Sequence, residues 1–178
     1  MIVRGATQED TGALAAIYGH HVLHGFGTFE EEPPSVEEMG RRLAAVVDRG
    51  LPYLVAEDAD RVLGFAYAGP FRPRAAYRYT VEDSVYVAPE AMGKGVGRTV
   101  LTKVLDACEA LGVRQVVAVI GDSGNAGSLG LHTALGFTHV GVARSLGFKH
   151  GRWVDIVWMQ KALNGGDRTP PAGPGIRL

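Results

Sequence analysis

The sequence predicts a mixed α/β (α+β) fold: one central sheet of about seven strands with helices on both faces. Three observations predict it. Strand-forming and amphipathic runs alternate in the order β-α-α-β-β-β-α-β-α-β-β. The run Ser84–Thr99 reads as a strand, a glycine turn and a helix in succession. Gln115–Ile120 is almost continuously apolar, the pattern of a strand covered on both faces at a sheet centre. No internal repeat breaks this order and nothing marks a second domain, so residues 1–163 are expected to form one unit.

Length and charge narrow the class. At 178 residues the chain can bury a full core. Its formal net charge of −1 gives no reason to expect nucleic acid or a membrane surface as partner. Cys108 is the only cysteine, which excludes a disulfide framework and fits a reducing compartment. A charge arrives by Arg4 and no long apolar run follows, so neither a signal peptide nor a membrane span is expected. The expected location is the cytoplasm.

Taken in order, Met1–Arg4 reads as a short strand. Thr7 with Asp10 resembles a capping box and opens a helix to about His24, buried through Leu14, Ile17, Tyr18 and Val22. A loop of Gly, Phe, Glu and Pro follows. Ser35 with Glu38 caps a second helix, striped by Met39, Leu43, Val46 and Val47. Tyr53–Glu57 and Val62–Ala68 are strands joined by the turn residues Asp58–Arg61. Pro70–Ala76 is irregular, and Tyr79–Ala88 is the strand that feeds the glycine turn. Pro89 ends that strand, since proline cannot donate to a ladder. From Val96 the apolar residues Val100, Val104, Leu105, Cys108 and Leu111 recur at helical spacing. After the Gln115–Ile120 strand, Asn125 opens a helix that Gly136 closes. Phe137–Ala143 and Trp153–Gln160 are the last strands, separated by Ser145–Arg152. From Asn164 the chain is rich in Gly and Pro without periodicity, the composition of a disordered tail.

The glycine turn carries the first chemical signal. Gly93, Gly95 and Gly97 allow positive φ and close approach of a ligand to the backbone. A helix that starts there aims unpaired N–H groups and the positive end of its dipole at one point, a site for phosphate. Two phosphate motifs fail: Lys94 is followed by Gly95 rather than Ser or Thr, and no third glycine completes GxGxxG. His20, His21 and His24 cluster on the first helix, but HExxH would need Glu where His21 stands. They read as surface or packing residues, and no metal is expected.

The segment Met92–Gly97 resembles the acetyl-CoA loop Gln/Arg-x-x-Gly-x-Gly/Ala of the GNAT superfamily of N-acetyltransferases, with Met92 where Gln or Arg is usual. Within that superfamily the chain is most similar to the phosphinothricin and methionine sulfoximine N-acetyltransferases. Thr28–Phe29, Ala68–Pro70, Arg74–Tyr77, Thr80–Val87, Val119–Gly121, Leu131–His132 and Gly147–Trp153 carry that closer resemblance. It implies acetyl-CoA as co-substrate, a small amino acid as acceptor, direct transfer and a homodimer. It puts acetyl-CoA against Val85, Tyr86 and Val87, against the turn Gly93, Lys94, Gly95, Val96, Gly97 and Arg98, and against Asn125 and Ser128. A backbone N–H near Val87 would hold the developing oxyanion, in a gap where the strands beginning near Val85 and Val116 part.

For proton transfer the resemblance points to Glu82. An ammonium must lose a proton before it can attack a thioester, and a half-desolvated carboxylate can take it. With period two, Glu82, Ser84 and Tyr86 share one face, and Asp83, Val85 and Val87 share the other. Asp83 is the rival, though its face is expected to be packed against a helix or paired. His132 reads as an acid toward the departing thiolate, as a second proton acceptor, or as a packed helix histidine. Arg72, Arg74 and Tyr77 are candidates to bind a carboxylate or phosphinate, with Phe29 against the acceptor's aliphatic part. Lys149, His150, Arg152 and Trp153 could line the acceptor pocket, form a dimer contact or make an ordinary basic hairpin. An acceptor at a protein N-terminus or on a polyamine, and a non-catalytic acyl-CoA sensor, are the alternatives.

Overall fold

The computed structural model describes residues 1–178 and contains seven strands and four α-helices in the expected order: β1 (Ile2–Gly5), α1 (Thr11–His24), α2 (Val36–Val47), β2 (Tyr53–Asp58), β3 (Arg61–Pro70), β4 (Thr80–Val87), α3 (Val96–Ala110), β5 (Gln115–Gly121), α4 (Ala126–Ala134), β6 (Thr138–Lys149) and β7 (Arg152–Ala162). They form one sheet in the order β1-β2-β3-β4-β5-β7-β6. Every neighbouring pair is antiparallel except β4 and β5.

Side-chain alternation assigns the helices to faces. Tyr18 of α1 meets Tyr86 edge-on, with ring centroids 4.8 Å apart. His132 of α4 bonds Asp83, and Gly97 of α3 lies against Val85 and Val87. Tyr86 differs in parity from Asp83, Val85 and Val87, so α1 covers one face and α3 and α4 the other. The core fills both faces of the sheet, with Leu14, Val22 and Phe65 on the α1 side and a second layer between α3 and the sheet. Val100, Leu101, Val104 and Cys108 are fully buried there, with Ala66, Ala68 and Val81 beneath them. Ser35 caps α2 by accepting the Glu38 amide at 3.2 Å. The Thr7–Asp10 box is also present, though it opens a short 3-10 turn over Gln8–Asp10 before α1 begins.

One feature differs from the sequence reading, and a second was expected by it. β6 continues to Lys149, through the stretch expected to separate the last strands. Register shifts near Val140 and between Ala143 and Gly147 absorb the extra residues, and Ser145 takes a φ of 54°. Asp155 of β7 staples the second irregularity by accepting the Ser145 amide at 2.9 Å. The second feature is the parting of the sheet. β4 and β5 pair only from Thr80–Asp83 to Gln115–Ala118. Beyond that point β4 stays with β3 up to Val87, and β5 stays with β7 up to Gly121. A wedge therefore opens after Asp83 and Ala118, the parting expected between these two strands.

Residues 164–178 form no helix or strand. They lie against the domain through bonds from Arg114 to the carbonyls of Gly166 and Thr169, and from the Tyr79 hydroxyl to the carbonyl of Gly173.

Candidate active site

The wedge is the mouth of a cavity of about 820 Å³. One wall is β4 from Glu82 to Val87, another is β5 from Ala118 to Gly121, and the α1–α2 loop closes it with Gly25–Thr28. The N-terminal turns of α3 and α4 complete it with Gly93, Gly95, Arg98, Asn125 and Ser128.

The glycine turn has the backbone that its composition predicts. Gly93 and Gly95 have φ of 73° and 81°, in the left-handed region that favours glycine, and a Cβ at either would point into open space. Gly97 serves packing instead, since a Cβ there would press on Val87 and Leu131 at 3.3 Å. Asn125 caps α4 by accepting the Ser128 amide at 3.1 Å. Of the residues expected to hold acetyl-CoA, all line the cavity except Lys94.

The parting of the strands leaves the outer edge of β4 unpaired. Successive peptide groups along a strand point to opposite edges. The Ala88 amide donates to Leu63 of β3 at 2.9 Å, so the N–H and C=O of Val87 face the wedge. His21 of α1 takes up that carbonyl, with Nε2 at 2.9 Å. A carbonyl only accepts, so Nε2 carries the proton and Nδ1 is the ring's second nitrogen. Burial holds the His21 imidazole below its usual range, against the Val87 bond, which works the other way. His21 is absent from the sequence-derived site. Its neighbours His20 and His24 sit on the same helix, and no group of three or more His, Cys, Asp or Glu is placed to hold a metal ion.

Glu82 and Asp83 both line the cavity but in different states. The Glu82 side chain is 34% exposed. Burial raises its carboxyl above the ordinary range, Arg72 opposes this, and the Asp83 charge adds to it. Arg72 Nη1 stands 4.0 Å from Glu82 Oε2. Asp83 is buried, as its face required, and its Oδ2 lies 3.0 Å from Nε2 of His132. Nδ1 of His132 lies 2.8 Å from the carbonyl of Ser128. That carbonyl only accepts, so Nδ1 carries a proton. Nε2 then meets a carboxylate, and one further proton must sit between the two groups. Burial alone would lower the His132 imidazole, but the hydrogen bond and charge of Asp83 and the Ser128 carbonyl together raise it. Both ring nitrogens are engaged and the side chain is 3% exposed, against 1% for Asp83, and both residues line the cavity. Asp83 Oδ1 is buried and has no partner.

The expected acceptor residues do not converge on the cavity wall. Arg72 touches the site only through Glu82; its guanidinium lies over the Phe71 ring at 4.5 Å. Tyr77 packs edge-on against Phe71 at 5.4 Å and lines a separate hollow of about 320 Å³ with Trp158. Arg74 is exposed and makes no side-chain bond. Phe29 is 38% exposed and lies over Gly147 and Gly121, where no Cβ would fit. Cys108 is fully buried, and burial pushes its thiol up to about 12.

Comparison with known proteins places this geometry. Residues 3–158 match the model of the acetyltransferase (GNAT) domain. The chain is 56% identical over 169 residues to a phosphinothricin N-acetyltransferase of Alcaligenes faecalis, covering 95% of this chain and 86% of that one. It is 39% identical over 167 residues to an L-methionine sulfoximine/L-methionine sulfone acetyltransferase of Salmonella typhimurium, covering 92% and 95%. Its backbone superposes with a TM-score of 0.94 on a GNAT superfamily phosphinothricin acetyltransferase from Sinorhizobium meliloti in complex with AcCoA. The two are 45% identical, over 98% of this chain and 94% of that one.

Proposed function

We propose an acceptor and a mechanism for this chain, which belongs to the GNAT acetyltransferase family and is an acetyltransferase that uses acetyl-CoA as co-substrate. The acceptor is the α-amino group of a small amino acid of the phosphinothricin, methionine sulfoximine or methionine sulfone type. The observation that carries this is the Arg72–Glu82 pair, 4.0 Å apart at the wedge. An α-amino acid carries its carboxylate and ammonium on one carbon. Arg72 is complementary to the first and Glu82 to the second. A polyamine has no group for Arg72. The names of the relatives at 56% and 39% identity support the same acceptor class.

Acetyl-CoA fits the residues present: glycines whose missing side chains open the turn, helix N-termini that face the cavity, and an unpaired strand edge. When bound it supplies a thioester-activated acetyl group. The chain's residues do the rest. Arg72 and Phe29 orient the acceptor by its anion and its apolar part. Glu82 accepts the ammonium proton, which its raised pKa makes it able to hold. The Val87 N–H donates to the carbonyl oxygen as charge develops there. The proton held between His132 and Asp83, which both line the cavity, is a reserve for the departing sulfur. Transfer is direct, because Cys108 is buried and its thiol stays protonated. The acting form is a homodimer.

Arg72→Gln tests the acceptor reading. It should raise KM for L-methionine sulfone by about 10-fold or more, the loss of a charge-assisted bond, and leave KM for the decarboxylated amine within about 2-fold. Equal effects on both acceptors would overturn the assignment of Arg72 to the carboxylate.

A further inference from the structure

We infer that the tip of the β6–β7 hairpin shapes the acceptor end of the cavity by holding the α1–α2 loop, and that Lys149 is the positioning residue through which it does so. The inference rests on the acceptor reading above and goes beyond it, since no residue of the hairpin has a role there.

Lys149 is 2% exposed, where a lysine in an ordinary basic hairpin would be solvated. Its ammonium makes one hydrogen bond, from Nζ to the carbonyl of Thr28 at 2.8 Å. No carboxylate pairs with it directly; Glu31 and Glu30 act on it only at longer range, against burial, which lowers its pKa. Burying an ammonium with a single partner is unfavourable. A methionine would fill the same space without that penalty. What the lysine adds is the bond to Thr28.

Thr28 is held from the other side as well. Tyr18 Oη lies 2.8 Å from a carboxylate oxygen of Glu30 and must donate to it. The Thr28 hydroxyl, 2.9 Å from Tyr18 Oη, is therefore the donor in that contact. It also accepts the Glu30 amide at 3.3 Å. Glu30 is in turn bridged to Arg42 of α2 at 2.8 Å. With its side chain fixed to α1 and α2 and its carbonyl fixed to β6, Thr28 has one position.

The rest of the loop is gripped in the same way. The Arg152 guanidinium lies over the Phe26 ring at 3.8 Å, and the His150 ring stands 5.5 Å from it. Arg152 is itself tied to Asp122, beyond the end of β5, at 2.7 Å. The Phe29 ring lies so close over Gly147 that any Cβ there would collide with it. The Phe26 carbonyl closes on Gly121 in the same manner. Four residues of the hairpin tip thus fix Phe26, Thr28 and Phe29, and Gly25–Thr28 form the cavity wall nearest the end of β5. The glycine-turn wall, on α3, is not touched by this clamp. Gly27 lies beside Asn125 of the α4 wall, but the residues the clamp holds are Phe26, Thr28 and Phe29, so it should act on the acceptor more than on acetyl-CoA.

The test uses the full-length protein with Lys149→Met and, independently, Gly147→Ala, each read by steady-state kinetics and by amide hydrogen exchange over residues 26–30. Both variants should raise acceptor KM by about 10-fold or more and leave acetyl-CoA KM within about 2-fold. Both should speed exchange of the loop amides. Acceptor KM within about 2-fold of wild type in both variants, or KM values for acceptor and acetyl-CoA rising together, would overturn the inference. If Lys149→Met does not fold, Gly147→Ala decides alone. Should wild type acetylate only a peptide or spermidine, the acceptor reading fails. The same KM split measured with that substrate would still support the clamp. If no acceptor turns over, unchanged loop exchange in the variants overturns the clamp and faster exchange supports it.

Discussion

His132 and Asp83 share a proton because the Ser128 carbonyl occupies the other side of the imidazole. Linkage then fixes the sign of a stability effect. The folded-state pKa of His132 lies above its unfolded value, so the folded chain binds the proton more tightly. The stabilisation is complete below the unfolded value of about 6.5 and is lost as pH rises through the raised folded value. Asp83→Asn should remove this dependence: melting temperature should fall with rising pH across that window in wild type and stay flat in the variant. Parallel curves would show that the pair does not carry the proton. Glu82 makes a different prediction. Its carboxyl is raised by burial, so kcat/KM should rise with pH through a value above the usual glutamate pKa of about 4.3. His21 is a third residue with a separable role. His21→Gln keeps an N–H donor for the Val87 carbonyl and should keep most activity, whereas His21→Leu leaves that carbonyl bare at the strand edge. The leucine variant should lose about 10-fold or more in kcat/KM, and equal behaviour of the two would assign His21 to packing alone.

At the scale of elements, the site exists because β4 and β5 stop pairing after Asp83 and Ala118 while each keeps its other neighbour. That arrangement leaves backbone groups of β4 free without a disordered edge. The turn from β4 into α3 supplies the second half. Gly95 stands at the N-cap of α3 with a φ of 81°, and a β-branched residue there is strained. Gly95→Val should raise acetyl-CoA KM by about 10-fold or more while acceptor KM moves little, the mirror image of the hairpin variants. Acetyl-CoA binding measured by calorimetry checks it directly. The third element is the β6–β7 hairpin, whose length depends on two irregularities, the second of them stapled by Asp155.

At the scale of the whole molecule, four helices and a seven-stranded sheet bury one core, and no helix is long and apolar enough to cross a membrane. Much of this is legible in the sequence. Positive φ is a demand that glycine answers, so Gly93 and Gly95 announced the turn. Period two separated Glu82 from Asp83, and the paired, buried state of Asp83 followed from its face. What could not be read depends on contacts between distant segments. His21 meets Val87 only because α1 docks at the end of β4, 66 residues away. Lys149 is buried only because an irregular strand carries it back over a loop 121 residues earlier. Neither docking has a local sequence signature. Arg74 and Tyr77 show the converse: their residue types suit an anion, but the turn that carries them points elsewhere. The proposed homodimer belongs to this scale too. Leu146, Phe148 and Trp153 on the hairpin are each about 60% exposed, an apolar patch that a second copy would cover. Sedimentation should give a dimer for wild type and a smaller species for Leu146→Asp; a monomer for both would remove the dimer from the account.

The central claim is that this acetyltransferase acts on the amino group of a small amino acid with Glu82 as base. The most direct measurement is acetyl-CoA-dependent thiol release by wild type and Glu82→Gln. The acceptor panel holds L-phosphinothricin, L-methionine sulfoximine, L-methionine sulfone, spermidine and an N-terminal peptide. Saturable release with the first three, falling by about 10²- to 10⁴-fold in the variant, is the predicted result. Release only with spermidine or the peptide, or an undiminished rate in Glu82→Gln, would contradict it.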